Sequence, residues 1–216
     1  MTKSKIMMVE DHPLLREGIK ARINSEPDMV VCGEVETAQA ALLGIGQLEP
    51  DLLLLDISLE KSSGLDLLKD LKIQYPALHT LIFSMHDESL YAERALRAGA
   101  HGYIMKGESP EEVIQAMRHV LGGEIYLSEA MTKMALARMG GGRRSPFTIE
   151  ELSDRELDVF QFIGRGYGTR DIAASLRLSV KTIASHREHI KVKLNLKSSS
   201  ALVQHAIHWA QSHQLV

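Results

Sequence analysis

Residues 51–56 read Asp-Leu-Leu-Leu-Leu-Asp, an apolar run with an aspartate at each end. A short continuous apolar run is typical of a strand that is buried on both faces of a parallel sheet. Four other runs in the first half of the chain share this pattern. The five predicted strands cover residues 5–9, 29–32, 51–55, 80–83 and 102–105.

Amphipathic segments of helical length separate these runs. They cover residues 14–24, 38–48, 65–74, 90–98 and 110–121. The last begins with Ser109, Pro110 and Glu112, which form a capping box with proline at the first helical position. Five alternating strands and helices predict a doubly wound α/β domain of (βα)5 type. In such a domain the functional site lies at the carboxyl ends of the strands.

The second half of the chain predicts helices alone. A helix is expected over residues 127–139, followed by a flexible linker over the glycine-rich residues 140–146. Four further helices are predicted over residues 153–164, 169–176, 180–194 and 199–211. Ser153 with Glu156 forms a second capping box, and Thr169 and Ser179 are candidate N-caps. We therefore predict three parts: an α/β domain over residues 1–124, a linker with one helix over 125–147, and an all-α four-helix domain over 148–216.

Charge divides the chain in the same way. The net charge of -3 combines -7 over residues 1–142 with +4 over residues 143–216, which favours a nucleic-acid partner for the second part. The sequence has no apolar run of about 18 residues and no signal-peptide pattern. Its single cysteine, Cys32, cannot form an internal disulfide. We therefore expect a cytoplasmic protein with no membrane partner.

Five polar side chains follow four of the predicted strands. Glu10 and Asp11 close the first strand, Asp56 the third and Ser84 the fourth, and Lys106 follows the fifth. Three carboxylates at one sheet edge need a cation, and an all-oxygen site suits Mg²⁺. Aspartate can accept a phosphoryl group covalently, while a metal ion and a lysine neutralise its charge. Asp56 is the best acceptor because it stands alone on the central strand.

The third of the four helices is basic. Residues 180–194 read VKTIASHREHIKVKL, and residues 165–200 hold 8 Lys and Arg against 2 Asp and Glu. Its apolar face carries Val180, Ile183, Ile190 and Leu194. Its opposite face carries Lys181, Ala184, Ser185, Glu188 and Lys191. A short helix and a three-residue break precede it, so the segment predicts a helix-turn-helix that binds DNA.

Two details of this helix bear on its contacts. His186 and His189 are three residues apart with no third ligand evident in sequence, so phosphate contact or packing is favoured over a metal site. Glu188 leaves two alternatives open. It could accept a hydrogen bond from cytosine N4, or it could pair with Lys181, Lys191 or Lys193 and orient them.

Both halves resemble known families. Residues 5–121 resemble a receiver domain of the CheY-like superfamily in Met8-Val9-Glu10-Asp11-His12-Pro13, Leu55-Asp56-Ile57, Gly64, Phe83-Ser84 and Gly102-Tyr103-Ile104-Met105-Lys106. Residues 152–216 resemble a LuxR-type helix-turn-helix in Leu152-Ser153-Asp154-Arg155-Glu156, Asp171-Ile172-Ala173, Leu176, Ser179-Val180-Lys181-Thr182-Ile183, His186 and Lys193-Leu194. The combination resembles the NarL/FixJ family of response regulators.

The resemblance implies a role for each site residue. Asp56 would accept the phosphoryl group, and Mg²⁺ would be held by Asp56, Glu10, Asp11 and the backbone carbonyl of Ser58. Ser84 and Tyr103 would be the switch residues, and Lys106 would contact the phosphoryl group. The expected DNA contacts come from Lys181, Thr182, Ala184, Ser185, His186, Glu188, Lys191 and Lys193.

The function implied is a transcription regulator and not an enzyme. A sensor histidine kinase would phosphorylate it, which would shift it towards a homodimer that binds double-stranded DNA. A phosphatase that uses a phospho-aspartate is disfavoured, because such enzymes need a second aspartate where this chain has Ser58. A DNA-binding protein without phosphorylation control is disfavoured by the complete acidic site.

Overall fold

The computed structural model describes residues 2–59, 62–133 and 149–212. The chain divides into two compact units, Met1–Gly141 and Gly142–Val216. Residues 129–133 are helical, as predicted. The remainder of the helix expected at 127–139, and the linker expected at 140–146, lie outside the described residues.

The N-terminal unit is built on a five-stranded sheet. Its strands are β1 (Ser4–Val9), β2 (Met29–Val35), β3 (Leu52–Leu55), β6 (His79–Ser84) and β7 (Gly102–Met105). They lie in the order β2-β1-β3-β6-β7, and every neighbouring pair is parallel. All four residues of the central strand β3 are buried. The predicted parallel sheet is therefore confirmed.

A short hairpin follows the central strand. Its strands β4 (Ser58–Leu59) and β5 (Ser62–Ser63) pair antiparallel. The sequence did not predict it, because two-residue strands are too short to show an alternating pattern.

Five helices cover the sheet. They are α1 (Pro13–Asn24), α2 (Ala38–Leu48), α3 (Gly64–Gln74), α4 (Glu88–Ala98) and α5 (Pro110–Leu121). Helix α1 contacts α5, and α3 contacts both α2 and α4. One core cluster joins α1 and α5 to the sheet through Ile6, Met8, Ile19, Leu54, Phe83, Ile104, Val113 and Met117, among others. The predicted capping box of Ser109 and Glu112 is present at the start of α5.

Strand β2 is longer than predicted and ends at Val35, not at Cys32. A Cβ on Gly33 would lie 2.4 Å from Leu48 Cδ1, so the glycine leaves space for the end of α2. Because β2 is an edge strand, it also tolerates the polar Glu34. Helix α4 likewise begins two residues before its predicted start, with Asp87 as its N-cap.

The C-terminal unit is helical throughout its described residues. A 3-10 turn (Ile149–Glu151) precedes α6 (Asp154–Gly164), α7 (Thr169–Ser175), α8 (Val180–Lys193) and α9 (Ser199–Ser212). The capping box of Ser153 and Glu156 and the N-cap Ser179 are confirmed. Thr169 is not an N-cap: the cap of α7 is Gly168, whose N–H donates to Asp171 Oδ2 at 3.2 Å.

A compact apolar core holds these four helices together. Its buried members include Leu157, Phe160, Ile172, Ile183, Ile190, Leu202 and Ala206. A Cβ on Gly164 would lie 2.6 Å from the carbonyl oxygen of Ala206, so glycine permits the close approach of α6 and α9. The apolar face predicted for residues 180–194 is buried at Ile183, Ile190 and Leu194. Val180 is 50% exposed, because it is the first residue of α8, one turn before the buried stripe begins at Ile183.

Among the described residues, no helix is both long enough and apolar enough to cross a membrane.

Candidate functional site

The predicted acidic residues meet where the central strands of the sheet end. Backbone hydrogen bonds continue past the strands: Asp56 N–H donates to the Val9 carbonyl at 3.0 Å, and Lys106 N–H donates to the Ser84 carbonyl at 2.8 Å. Glu10 N–H donates to the carbonyl of Val35 at 3.0 Å. The sheet therefore fixes the backbone from which each charged side chain extends.

Lys106 lies between two buried carboxylates. Its Nζ is 2.6 Å from Glu10 Oε2 and 2.8 Å from Asp56 Oδ2, and all three side chains are almost fully buried. The ammonium also lies 5.8 Å from the centre of the Phe83 ring. Ions removed from water in this way are costly unless they are paired, and Lys106 is the partner of both carboxylates.

A tight turn holds the other side of Asp56. Its Oδ1 accepts a hydrogen bond from Ser58 N–H at 3.0 Å. Gly64 N–H donates to the Ile57 carbonyl at 2.8 Å, and a Cβ on Gly64 would lie 2.2 Å from the Asp56 carbonyl oxygen. No other residue fits there without moving the backbone of Asp56. The glycine thus helps to set the position of this aspartate.

The pocket has the composition of a site for a divalent cation. Glu10, Asp11, His12 and Asp56 each offer a ligand atom, and these atoms lie within 4.8 Å of one another. Glu10 Oε2 and Asp11 Oδ1 are both buried; the first lies 2.6 Å from Lys106 Nζ and the second lies 2.9 Å from His12 Nδ1. Three carboxylates facing one ammonium leave excess negative charge, and these oxygens suit Mg²⁺.

Ser84 and Tyr103 meet at the backbone of His86. Ser84 is fully buried, and its Oγ accepts a hydrogen bond from His86 N–H at 3.2 Å. The buried Tyr103 donates its hydroxyl proton to the His86 carbonyl at 2.8 Å. Burial raises the pKa of Tyr103 far above its ordinary value; the hydrogen bond with Ser84 opposes this, while the nearby Asp56, Asp87 and Glu88 add to it. The phenol therefore keeps the proton that it donates to His86.

His86 is a residue that the sequence did not single out. Its Nε2 lies 2.7 Å from Ser58 Oγ, so it links the start of β4 to the loop after β6. Its ring stacks on Tyr91 with centroids 4.4 Å apart. Its position two residues after the strand-closing Ser84 was the available signal.

The eight predicted DNA contacts all lie on α8, but their exposure differs. Four are exposed: Lys181, Ala184, Ser185 and Glu188. Four are partly buried: Thr182, His186, Lys191 and Lys193. Thr182 Oγ1 is 2.8 Å from Oγ of the N-cap Ser179, and Lys191 Nζ is 2.8 Å from Glu188 Oε2. Some of the predicted DNA-contact side chains therefore already pair with other side chains of α8 or with its N-cap.

Lys193 is paired with a buried carboxylate on another helix. Its Nζ lies 2.7 Å from Oε2 of Glu156, which also accepts a hydrogen bond from Ser153 N–H at 2.7 Å. Burial alone would raise the pKa of Glu156, but the hydrogen bonds from Lys193 and Ser153 outweigh it and lower the pKa. Glu156 therefore joins the start of α6 to the end of α8.

Glu156 also lies beside the two histidines of α8. Ligand atoms of Glu156, His186 and His189 lie within 4.8 Å of one another. Partial burial lowers the pKa of His186 below its ordinary value. The sequence showed no third ligand for this pair, and the fold supplies one from a residue thirty positions earlier.

Comparison with known families matches both units. Residues 6–118 match the response regulator receiver domain, and residues 150–206 match the bacterial regulatory proteins of the luxR family. The oxygen regulatory protein NreC of Staphylococcus carnosus is 35% identical over 211 residues, which cover 94% of this chain and 96% of that protein. NreC of Staphylococcus aureus is 34% identical over the same shares.

Solved structures agree with these matches. A two-component response regulator of the LuxR family from Aurantimonas sp. shares 32% identity at a TM-score of 0.60, covering 64% of this chain and 99% of that one. RcsB from Salmonella enterica serovar Typhimurium, bound to promoter rprA in the presence of phosphomimetic BeF3-, shares the fold at a TM-score of 0.62 and 23% identity. That match covers 94% of this chain and 98% of RcsB. This chain therefore belongs to the NarL-family two-component response regulators, transcription regulators that join a receiver domain to a LuxR-type DNA-binding domain.

Proposed function

We propose that this regulator is switched by transfer of a phosphoryl group from a histidine of a sensor kinase to the carboxylate of Asp56. In that step the phosphorus–nitrogen bond breaks and a phosphorus–oxygen bond to Asp56 forms. The observation that carries the proposal is the pairing of buried Asp56 with Lys106 at 2.8 Å, beside Glu10 and Asp11. The ammonium is already in place to neutralise charge on the incoming group.

The same pocket supports Mg²⁺ as the cofactor. Glu10, Asp11 and Asp56 offer carboxylate oxygens within 4.8 Å of one another, and three carboxylates exceed the charge of the one ammonium beside them, so a hard divalent cation would balance the pocket. We assign its ligands to Glu10, Asp11, Asp56 and the backbone carbonyl of Ser58. When bound, the ion would supply positive charge that stabilises the phosphoryl oxygens during transfer.

Ser84 and Tyr103 are proposed to carry the signal to the surface. Both side chains bind the backbone of His86. Ser84 Oγ accepts from the His86 N–H, and the Tyr103 hydroxyl donates to the His86 carbonyl. A phosphoryl oxygen at Asp56 would accept a hydrogen bond from the Ser84 hydroxyl. Movement of Ser84 Oγ towards Asp56 would weaken the bond that it accepts from His86 N–H and its contact with Tyr103. Lys106 would follow the phosphoryl group and lose its present pairing. These movements would shift a pre-existing equilibrium towards a dimer.

The exposed face of α8 is the proposed DNA-contact surface. Lys181, Ala184, Ser185 and Glu188 are accessible there, and Lys181 adds positive charge for DNA phosphates. We assign Thr182, His186 and Lys191 to supporting contacts at its edge, and Lys193 to holding α8 through Glu156. The related RcsB has been solved bound to promoter DNA. By analogy, a dimer of this protein would bind two half-sites.

We also propose domain boundaries and a role for each part of the chain. Residues 1–124 would act as receiver, 125–147 as a linker with one helix, and 148–216 as the DNA-binding domain. Since bacterial DNA lies in the cytoplasm, we place the protein there, with the kinase and DNA as its partners.

The central experiment tests Asp56 directly. Wild-type protein incubated with a small-molecule phosphodonor and Mg²⁺ should gain one phosphate by mass spectrometry, and EDTA should prevent the gain. Asp56→Asn should gain none and should lose the phosphodonor-dependent rise in dimerisation and DNA affinity. The matched control is Asp66→Asn, an exposed aspartate on α3, which should behave as wild type. Equal labelling of Asp56→Asn would overturn the assignment.

A further inference from the structure

Three metal-binding side chains come together in the C-terminal unit, apart from the acidic pocket. Glu156 lies on α6, while His186 and His189 lie on α8. One ligand atom from each lies within 4.8 Å of the others, and His189 Nδ1 is 3.7 Å from Glu156 Oε1. Two ligands of one tetrahedral zinc ion, each at about 2.0–2.1 Å, are about 3.4 Å apart. The observed separation is therefore close to a ligand pair around one ion.

The helix geometry lets both histidines reach the carboxylate. Residues three positions apart on a helix are neighbours on its surface. Pairs at this spacing share a metal in helical bundles, where a glutamate and a histidine three residues later bind one ion. His186 is partly buried and His189 is exposed, so the pair runs from the protein interior to solvent. An ion could enter from the side of His189.

The two oxygens of the Glu156 carboxylate have different contacts. It is 4% exposed, and Oε2 is held by Ser153 N–H and Lys193 Nζ, each at 2.7 Å. Oε1 faces His189. The other charged groups around His186 are Arg155 and Asp158, which carry opposite charges. Glu156 can therefore give one oxygen to an ion without releasing its contacts to Ser153 and Lys193.

We propose that Glu156, His186 and His189 form a binding site for Zn²⁺ or a similar borderline divalent cation. Two imidazole nitrogens and one carboxylate oxygen are a donor set that zinc accepts, with water in the fourth position. Mg²⁺ prefers oxygen ligands and would not compete well. The ion would fasten α8 to α6, where Lys193 and Glu156 already join them.

Titration of the full-length protein with Co²⁺ tests the site, because cobalt in a four-coordinate nitrogen and oxygen site absorbs visible light strongly. Excess Mg²⁺ is present to occupy the acidic pocket. The wild type should bind one Co²⁺ that Zn²⁺ displaces. His189→Gln should bind it at least 10- to 100-fold more weakly, the range found when even an outer partner of a metal ligand is lost.

Two control variants separate this site from other metal binding. His208→Gln removes another exposed histidine of the same unit, on α9, and should bind Co²⁺ as wild type does. Asp56→Asn should also keep the visible bands, because Asp56 lies in the acidic pocket. Equal bands in wild type and His189→Gln, or their loss in Asp56→Asn, would overturn the proposal.

A second measurement guards against a merely local effect of the substitution. Zn²⁺ should raise the Tm of the C-terminal unit, followed by fluorescence of Trp209, in wild type but not in His189→Gln. An equal rise in both proteins would count against the site. Zn²⁺ should also change DNA affinity through His186. This last consequence rests on the proposed function, whereas the Co²⁺ titration does not depend on it.

Discussion

The two units of this protein place their working charges in opposite environments. In the N-terminal unit Lys106 is 2% exposed and lies between Glu10 and Asp56. In the C-terminal unit Lys181 and Glu188 stand on the exposed face of α8. Buried charges have partners that the fold dictates, so changing one affects the whole unit. Exposed charges cost little to change and act mainly on a binding partner.

Glu156 and Lys193 combine the two environments. The glutamate side chain is 6% exposed and the lysine side chain 39%. The pair attaches the end of α8 to α6, while the opposite face of α8 is exposed to solvent. We therefore expect three levels of effect, from the buried pair of the receiver, through this half-buried pair, to the pair of exposed Glu188 with partly buried Lys191 on α8.

The largest effect is predicted for Lys106→Met, which would leave two buried carboxylates without their cation. Removing one partner of a buried ion pair costs about 3–5 kcal/mol. We expect a loss of this size in EDTA, measured by urea unfolding with circular dichroism. Mg²⁺ should restore more stability to this variant than to wild type, because the ion then supplies the only positive charge proposed for the two carboxylates.

The single tryptophan provides an internal reference for this prediction. Trp209 lies in the C-terminal unit, so its fluorescence should report the same unfolding midpoint in Lys106→Met as in wild type. A variant as stable as wild type in EDTA would show that the buried pair is not what holds this pocket together.

An intermediate effect is predicted for Glu156→Gln in metal-free buffer. The amide cannot pair with the Lys193 ammonium, and a hydrogen bond to a charged group contributes about 1.5–3 kcal/mol. The Trp209-detected unfolding should shift by that amount. The matched control is Lys191→Gln, whose partner Glu188 is exposed, and it should change stability by less than about 1 kcal/mol.

Lowering the pH should affect the stability of wild type and of Glu156→Gln differently. The pKa of Glu156 is lowered in the folded state from its ordinary 4.5, so its stabilisation is complete above that value. It is lost as pH falls below 4.5 and through the folded-state pKa. Wild type should therefore lose more Trp209-detected stability in this range than Glu156→Gln does. Parallel loss in both proteins would remove Glu156 from the acid response.

The smallest effect is predicted for Glu188→Ala. In the structure Glu188 pairs with Lys191, which favours an orienting role over reading of cytosine. We expect DNA affinity to change by less than about 1 kcal/mol, and equally across all single-base variants of an operator. A loss of preference at one base position by about 1–3 kcal/mol would show instead that Glu188 reads sequence.

Local pattern was enough to predict most of the fold. The apolar run at residues 52–55 and its four counterparts predicted the parallel strands, since burial on both faces requires continuous apolar sequence. Ser109 and Ser153 predicted two helix starts through capping boxes, which are short-range interactions. The error at Thr169 arose at a helix end, where the neighbouring Gly168 takes the cap position instead.

The candidate site was predictable only in part. That Asp56 and Lys106 would meet followed from the topology of a parallel sheet, because all strand ends share one edge. The contacts of His86 with Ser58, and of Glu156 with Lys193, did not follow. They join loops or helices that are far apart in sequence, and no periodic pattern encodes such a pairing.

By itself, the sequence determined the fold class, the division into an acidic and a basic part, and the identity of the charged residues at the strand ends. Tertiary structure alone decided which charges are buried and paired. Only the packing of α6 against α8 brings Glu156 beside His186 and His189. The physical reason is that periodicity and capping act within a few residues, whereas ion pairs and metal ligands depend on distances that long-range packing sets.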